Sequence, residues 1–185
     1  MMKKIAILFL TSVLVFCCAY KKPIKYTIEA ERDAYWHNNV ALSYRKDRIY
    51  YAAIQEFKIA ISLSPSTQAS AVFHNNLGET YLYINYPEAA KTCFEDAVKL
   101  YGLNLKYHMN LVKTYVQLGI AESKIKEFEA SDNFYDKIKL GLLYIEINEA
   151  RKGVNILDDI CVSEPDLLIT PSLKQYIKQV IKEKL

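Results

Sequence analysis

Residues 71–97 read AVFHNNLGETYLYINYPEAAKTCFEDA, and this stretch decides the fold. Its small residue Gly78 and its aromatic residues Tyr81 and Phe94 have counterparts in residues 34–60, each 37 positions earlier. Similarity of a chain to itself at a spacing of about 20–50 residues is the signature of a repeat array. The sequence therefore predicts a series of similar structural units.

The constant offset pairs residues along most of a unit. The pairs are Val40 with Leu77, Ala41 with Gly78, Tyr44 with Tyr81, Ala53 with Ala90, Phe57 with Phe94, and Ala60 with Ala97. The first half of the pattern returns twice more, in Leu111-Val112-x-x-Tyr115 and in Leu140-Gly141-x-x-Tyr144. Small residues that face large ones suit two closely packed antiparallel helices.

These residues resemble the tetratricopeptide repeat (TPR), whose signature is W-x-x-L-G-x-x-Y, A-x-x-x-F, a later A and a closing P. With Ala71 at motif place 1, the signature places 7, 8, 11, 20, 24 and 27 hold Leu77, Gly78, Tyr81, Ala90, Phe94 and Ala97. The resemblance implies an all-α, right-handed α-solenoid of about four helix hairpins plus a C-terminal capping helix.

The resemblance covers residues 34–167, in units near 34–67, 71–104, 105–133 and 134–167. Pro65 and Pro165 stand at place 32 of the first and fourth units, where a proline ends the second helix. The third unit keeps Phe128 at place 24, but its second helix is divergent and short. Residues 168–185 are predicted to form the capping helix.

The first residues of the chain resemble an export signal. Lys3 and Lys4 precede a largely apolar stretch, residues 5–16, which is shorter than the roughly twenty residues of a membrane-spanning helix. We expect residues 1–19 to be a signal peptide, and residues 20–33 to hold a tether and the start of the first helix.

Three interpretations of this leader stay open. In the first, it is a bacterial lipoprotein signal, with lipid attached to Cys18, three residues after Val15, or to Cys17, three residues after Leu14. In the second, signal peptidase cuts after Ala19 and gives a periplasmic or secreted protein. In the third, the leader stays as an uncleaved anchor. We expect an exported protein of the bacterial cell envelope, attached to a membrane as a lipoprotein in the first case.

Composition and charge favour a protein partner. Apolar residues form 51% of the chain, and Gly and Pro number only five each, which argues against a disordered or all-β chain. The formal net charge of +3 includes Lys3 and Lys4, and the remainder is too balanced to imply a nucleic-acid partner. The fifteen tyrosines suit both interhelix packing and binding surfaces.

The three histidines, His37, His74 and His108, all stand at motif place 4. Equivalent places on stacked helices lie at least about 8–10 Å apart, so the three side chains cannot share a metal ion whose ligands must lie about 2 Å away. We interpret them as packing residues and predict no metal site.

An asparagine stands at place 6 of the same three units, as Asn39, Asn76 and Asn110. In the TPR family, places 2, 5, 6, 9, 12 and 13 of the first helix line a concave groove, so the resemblance implies a row of amides along it. An amide offers donors and an acceptor, which suits the backbone of an extended peptide. The alternative is that these amides only hydrate or tie neighbouring helices together.

The candidate groove residues carry amide, aromatic or charged side chains. They are Tyr35, Asn38, Asn39, Asn75, Asn76, Glu79, Tyr83, Lys106 and Asn110, and Leu42, Arg45, Val72, Leu82 and Lys113 complete the wall. Some TPR proteins clamp a C-terminal carboxylate with lysine, asparagine and arginine at such places. Only Asn76 and Lys106 match that set, so we predict no such clamp.

The sequence contains no catalytic motif, because it lacks a phosphate-binding glycine loop, H-E-x-x-H, CxxC and G-x-S-x-G. Cys93 and Cys161 fall within apolar helical patterns and are expected to be buried free thiols. We expect neither enzymatic activity nor a cofactor.

The leading hypothesis is a non-enzymatic scaffold that holds an extended segment of a protein or peptide partner in its concave groove. One alternative is a structural component that self-associates into a homo-oligomer, and another is an accessory subunit of an envelope complex. Oligomerisation without a ligand would favour self-association. Weakened partner capture by Asn76→Ala and Asn110→Ala at an unchanged melting temperature would favour groove binding.

Overall fold

The computed structural model describes residues 30–185. The predicted signal peptide, the candidate lipidation sites Cys17 and Cys18, and most of the predicted tether lie outside the described residues.

The described part of the chain consists of nine α-helices joined by short loops. They are α1 (Ala30–Lys46), α2 (Tyr50–Leu63), α3 (Gln68–Tyr83), α4 (Pro87–Leu100), α5 (Leu105–Gln117), α6 (Ala121–Glu129), α7 (Phe134–Glu146), α8 (Ala150–Ser163) and α9 (Thr170–Lys184). Within residues 30–185, none of these helices has the length and apolar character needed to cross a membrane.

The helices pack in sequential pairs. The hairpins are α1 with α2, α3 with α4, α5 with α6, and α7 with α8, and α9 packs on α8. Successive hairpins contact each other through α2 and α3, through α4 and α5, and through α7 against both α5 and α6. This arrangement confirms the predicted all-α fold of stacked TPR-like hairpins, whereas the right-handed sense of the solenoid stays a prediction.

The first, second and fourth hairpins each have a small residue that faces a large one. A Cβ atom at Gly78 would lie only 2.6 Å from Cε1 of Phe94, and one at Gly141 only 2.7 Å from Cδ2 of Leu157. Ala41 occupies the same place in the first unit and is fully buried. The small residue at place 8 therefore lets the two helices approach until the side chain at place 24 fills the space beside it.

The fourth hairpin is tight enough to require glycine at place 20, where the first two units have alanine. A Cβ atom at Gly153 would collide with the carbonyl oxygen of Gly141 and would lie 2.6 Å from Cγ1 of Ile145. Glycines at both small places thus bring the backbones of α7 and α8 together.

The third hairpin departs from this design. Helix α6 has 9 residues, whereas α2, α4 and α8 have 14 each. Lys124 stands at place 20, and its ammonium group lies 5.4 Å from the ring centroid of Tyr115 and 5.9 Å from that of Phe128. A cation over two rings thus replaces the small-residue contact of the other hairpins.

Every hairpin turn contains one residue with a left-handed backbone, always at motif place 15. The angle φ is 62° at Arg48, 60° at Asn85, 69° at Gly119 and 68° at Asn148. The next residue donates its N–H to the carbonyl oxygen of the place-11 tyrosine, with N···O distances of 2.8, 2.9, 3.0 and 2.8 Å. Glycine and asparagine tolerate this conformation, whereas arginine carries a steric cost.

Exchanging residues at place 15 tests this constraint on the turn. We expect Arg48→Gly to raise the free energy of unfolding by about 0.5–1 kcal/mol, because relief of backbone strain exceeds the added entropy of glycine in the unfolded chain. A Cβ atom at Gly119 would have no heavy atom within 4 Å. Gly119→Ala therefore isolates backbone strain and should lower the free energy of unfolding by about 1–2 kcal/mol. Urea denaturation measures the free energy of unfolding of both variants. A Gly119→Ala protein more stable than the unmodified protein would contradict backbone strain at place 15.

Candidate functional site

The first helices of the first three units, α1, α3 and α5, are joined by a row of polar side chains. We call this row the polar seam, and it consists of Asn38, Arg45, Asn75, Asn76, Glu79, Lys106 and Asn110. All seven stand at places that the TPR resemblance assigns to the groove wall.

The asparagines of the seam bond from one unit to the next in a fixed pattern. Nδ2 of Asn76 donates to Oδ1 of Asn38 at 3.0 Å, and Nδ2 of Asn110 donates to Oδ1 of Asn75 at 2.8 Å. Each bond links place 5 of one unit with place 6 of the following unit. The structure thus brings these four predicted residues together as two equivalent rungs between units.

Burial explains why these amides bond one another. Asn38, Asn75 and Asn76 are buried, and a buried amide without a hydrogen-bond partner is costly. The seam therefore ties neighbouring helices, which is the alternative role that the sequence left open. Among residues 30–185, no group donates to Oδ1 of Asn76 or of Asn110, so both oxygens keep acceptor capacity. Peptide binding by these amides stays a prediction.

Asn39 differs from the other place-6 asparagines. It is exposed, and its Oδ1 accepts only from Nδ2 of the adjacent Asn38, at 3.4 Å. Within the described part of the chain it makes no side-chain bond to another helix. The same residue type at the same motif place is thus exposed in the first unit and bonded between units in the second and third.

Glu79 is the centre of the seam. Its Oε2 accepts from Nη1 of Arg45 at 3.0 Å, and its Oε1 lies 2.6 Å from Nζ of Lys106. The same Oε1 accepts from Nδ2 of Asn75 at 3.1 Å and from Nδ2 of Asn110 at 3.3 Å. One carboxylate therefore joins side chains of α1, α3 and α5.

The charge state of Glu79 follows from these contacts. Burial alone would raise the pKa of Glu79, but the hydrogen bond and charge of Lys106, followed by Asn75 and Arg45, outweigh burial and lower the pKa below its ordinary value. The carboxylate is therefore ionised at neutral pH, when it holds both cations.

Two threonine hydroxyls bond the backbone of seam asparagines, and no sequence pattern described above identified them. Oγ1 of Thr80 donates to the carbonyl oxygen of Asn76 at 2.7 Å, and Oγ1 of Thr114 donates to that of Asn110 at 2.8 Å. Nη1 of Arg45 also donates to the Asn76 carbonyl, at 3.1 Å. The repeated pattern N-x-x-x-T at places 6 to 10 of units two and three was the available signal.

Exposed aromatic residues border the seam. Tyr35 is 45% exposed, and its ring meets that of Phe73 edge-on at a centroid distance of 5.4 Å. Tyr83 is 65% exposed and stacks on Tyr50 at 5.5 Å, with an angle of 10° between the rings. Tyr50 lies on the second helix of the first unit, and no sequence pattern singled it out.

The place-4 histidines lie at interhelical contacts. Nδ1 of His37 is 2.6 Å from a carboxylate oxygen of Glu56 in α2, and Nδ1 of His74 is 3.6 Å from one of Asp96 in α4. Nε2 of His108, which is fully buried, donates to the carbonyl oxygen of Gly102 at 2.7 Å. Each histidine thus joins its helix to a neighbouring segment, as the packing interpretation predicts.

Among the described residues, the two cysteine thiols are buried and the acidic side chains form no cluster that could hold a metal ion. Cys93 and Cys161 are buried free thiols, and burial raises the pKa of Cys93 to about 12. A thiol with that pKa stays protonated and unreactive at neutral pH. Across residues 30–185, no group of three or more His, Cys, Asp or Glu side chains is placed to hold a metal ion.

Helix hairpins that stack in series, with polar bonds between their first helices, define an α-solenoid repeat scaffold. Residues 71–102 match the family model described as the tetratricopeptide repeat. These residues therefore form a tetratricopeptide repeat, and the other described hairpins follow the same arrangement of small and large residues with the variations described above.

Several solved structures resemble the fold. The MamA protein is 18% identical with a TM-score of 0.50, over 83% of this chain and 90% of that chain. The second TPR domain of the human RPAP3 protein, in complex with the HSP70 peptide SGPTIEEVD, is 19% identical with a TM-score of 0.49, over 62% and 97%. YrrB, described as a TPR protein with an unusual peptide-binding site, is 17% identical with a TM-score of 0.46, over 77% and 74%. A comparison with curated protein sequences gave no match.

The two kinds of place-6 asparagine predict different effects of mutation. Asn76→Ala leaves the buried Oδ1 of Asn38 without its donor, so we expect the free energy of unfolding to fall by about 1–3 kcal/mol. Asn39→Ala is the matched control and should change it by less than about 0.5 kcal/mol. Equilibrium urea denaturation distinguishes the two, and equal effects would contradict a structural role of the rungs.

The environment of His108 predicts a stability that depends on pH. Burial lowers the pKa of His108 to about 4, against the opposing effect of the Gly102 hydrogen bond, from an ordinary value of 6.5. Its Nδ1 has no acceptor among the described residues. Between these two pKa values the unfolded chain binds a proton that the folded chain does not, so stability decreases as the pH falls from 6.5 towards 4.

Replacing His108 with glutamine, which keeps a donor for the Gly102 carbonyl, should remove most of this acid sensitivity. We expect the difference in unfolding free energy between pH 7 and about pH 4.5 to shrink by roughly 2–3 kcal/mol. Urea denaturation at both pH values provides the measurement. The same difference in the variant as in the unmodified protein would show that His108 does not titrate as described.

Proposed function

We propose that this TPR-repeat protein is a non-enzymatic scaffold that binds an extended segment of a partner protein along the first-helix face of α1, α3 and α5. The observation that carries the proposal is the row of exposed aromatic, amide and cationic side chains beside a rigid polar seam. Scaffolding is the general role of TPR repeats, and the geometry of this face supports that role here.

The seam makes the face rigid before a partner arrives. Glu79 bonds side chains of α1, α3 and α5, and the asparagine rungs repeat the connection on either side of it. Since the helices are already held in register, binding does not have to order them, and preorganisation of this kind improves affinity.

The exposed groups beside the seam suit an extended segment. Tyr35 and Tyr83 are large, exposed and already packed on one side, so they supply anchors at low entropic cost. The Oδ1 atoms of Asn76 and Asn110 are acceptors that backbone N–H groups of such a segment can use, and exposed Asn39 adds a donor and an acceptor.

The charge of this face favours an acidic partner. Lys106 and Lys113 are exposed, and Arg45 and Lys46 lie near the end of α1. Glu79 is the carboxylate of the seam, and Lys106 and Arg45 already pair with it. Excess positive charge of this kind accelerates association with an acidic segment and makes it sensitive to salt.

We further propose that the protein acts in the bacterial cell envelope, where a lipid on Cys18, or on Cys17, would hold it at a membrane. The support is the leader itself, with its basic start, apolar stretch and cysteine pair. Cell fractionation and intact-mass measurement of the purified protein test this. A water-soluble protein without added lipid mass, cut after Ala19, would show simple export instead.

Selection of displayed random peptides on the full chain, followed by affinity measurements, tests partner binding. We expect Tyr35→Ala to weaken binding of the selected peptides about tenfold, because it removes an aromatic anchor. Lys113→Gln should weaken binding about two- to fivefold, because it removes one exposed charge. Lys126→Gln on α6 removes an equal charge away from the first helices and should have no effect.

Two results would contradict this proposal. Selected peptides that bind Tyr35→Ala and Lys113→Gln as tightly as the unmodified protein would bind elsewhere. Failure to select any peptide, together with concentration-dependent self-association in sedimentation experiments, would favour the structural alternative.

A further inference from the structure

A hollow of about 310 Å³ lies beside the polar seam, where the first hairpin turns. It is lined by Leu42, Arg45, Lys46, Arg48, Tyr50 and Tyr83, and we call it the turn hollow. Three of its six lining residues are basic, and none is acidic. The hollow therefore combines positive charge with an apolar wall.

The apolar wall is formed by two stacked rings and one aliphatic side chain. Tyr50 of α2 and Tyr83 of α3 lie nearly parallel, with their centroids 5.5 Å apart. Leu42 is partly exposed on α1. The stack bridges the first and second units, so the shape of the hollow depends on the packing of both.

The cations have capacity left for a ligand. Arg45 uses Nη1 for Glu79 and for the carbonyl oxygen of Asn76, and its Nη2 bonds no described residue. Lys46 and Arg48 are exposed, and within residues 30–185 neither forms an ion pair. Asp47 is the carboxylate between them in the chain, but it does not line the hollow.

The backbone at Arg48 supplies an independent argument. Arg48 has a φ of 62°, whereas the equivalent turn places in the other three units hold asparagine, glycine and asparagine. Those residues adopt the left-handed conformation at little cost, and arginine does not. Strained backbone is often found at functional sites, so an arginine in the left-handed conformation at this turn points to a use for its side chain.

We propose that the turn hollow binds acidic side chains of the partner segment. Carboxylates would meet Lys46, Arg48 and the unused guanidinium nitrogens of Arg45, while the chain that bears them would pack on the stacked tyrosines. This inference rests on the proposed function, because Arg45 belongs both to the polar seam and to the hollow and makes the two continuous. We therefore expect the partner segment on the first-helix face to carry an acidic end or an acidic cluster where it reaches the hollow.

The geometry favours a peptide over a lipid surface. The basic residues surround one hollow of side-chain size, and the apolar wall is a stack of two rings, which matches a single extended chain. A flat membrane would be contacted instead by charges spread over an open face.

The test uses fluorescein-labelled hexaglutamate amide as the probe, with labelled hexaglutamine as its neutral counterpart, and the full chain. We expect hexaglutamate to bind, with affinity that falls as salt is added, and hexaglutamine not to bind. The double variant Lys46→Gln/Arg48→Asn should weaken hexaglutamate binding about three- to tenfold, because two exposed charges are lost. Asparagine at 48 suits the turn, so the melting temperature should not fall.

Each contrary result has a distinct meaning. Unchanged hexaglutamate affinity in the double variant would overturn the hollow as the acidic site, and the proposed function would stand if selected peptides still bind the face. If Lys126→Gln lost as much hexaglutamate affinity as the double variant, the loss would reflect the net charge of the protein. That result would also overturn the hollow as the acidic site. A third result would favour a membrane surface as the ligand of the hollow. In that case the protein would bind phosphatidylglycerol vesicles but not hexaglutamate, and the double variant would lose the vesicle binding.

Discussion

The close approach of two antiparallel helices, with a glycine or alanine of one beside a ring or branched side chain of the other, is the contact on which the rest of this structure depends. Gly78 against Phe94 and Gly141 against Leu157 show how little room remains, since even one added carbon would collide. This contact turns each helix pair into a unit, and only units of constant shape can stack in a regular register. The third hairpin, with Lys124 at the small place, shows that one unit can relax the rule when its neighbours keep it.

Stacking brings the first helices together and so creates the polar seam. Asn38 meets Asn76, and Asn75 meets Asn110, because places 5 and 6 of successive units face each other once the hairpins are in register. Burial then makes each bond necessary, since an unpaired amide there would be costly. Glu79 adds a charged centre that bonds three helices at once. The polar residues that the TPR resemblance assigns to a binding groove thus first hold neighbouring helices together.

The turns show how a repeat can differ at one place without losing its fold. All four turns require a left-handed residue and a hydrogen bond to the place-11 tyrosine, and this shared geometry is independent of the side chain at place 15. That side chain is therefore free to vary in chemistry at a modest backbone cost. In the first unit it is Arg48, beside Lys46 and the tyrosine stack, so a turn that elsewhere only reverses the chain there forms part of a charged surface.

The sequence by itself determined the helix hairpins, because the fixed offset between residues such as Ala41 and Gly78, or Phe57 and Phe94, reports local packing that every unit repeats. The resemblance to the TPR, carried by these residues, also assigned the candidate groove residues to the first helices, where the polar seam lies. Tertiary structure alone decided that Asn76 is bonded between units whereas Asn39 is exposed, and that Tyr50 joins Tyr83. The physical reason is that equivalent residues in a repeat have identical local patterns, and only the neighbouring unit, which the pattern does not describe, distinguishes a buried partner from an open surface.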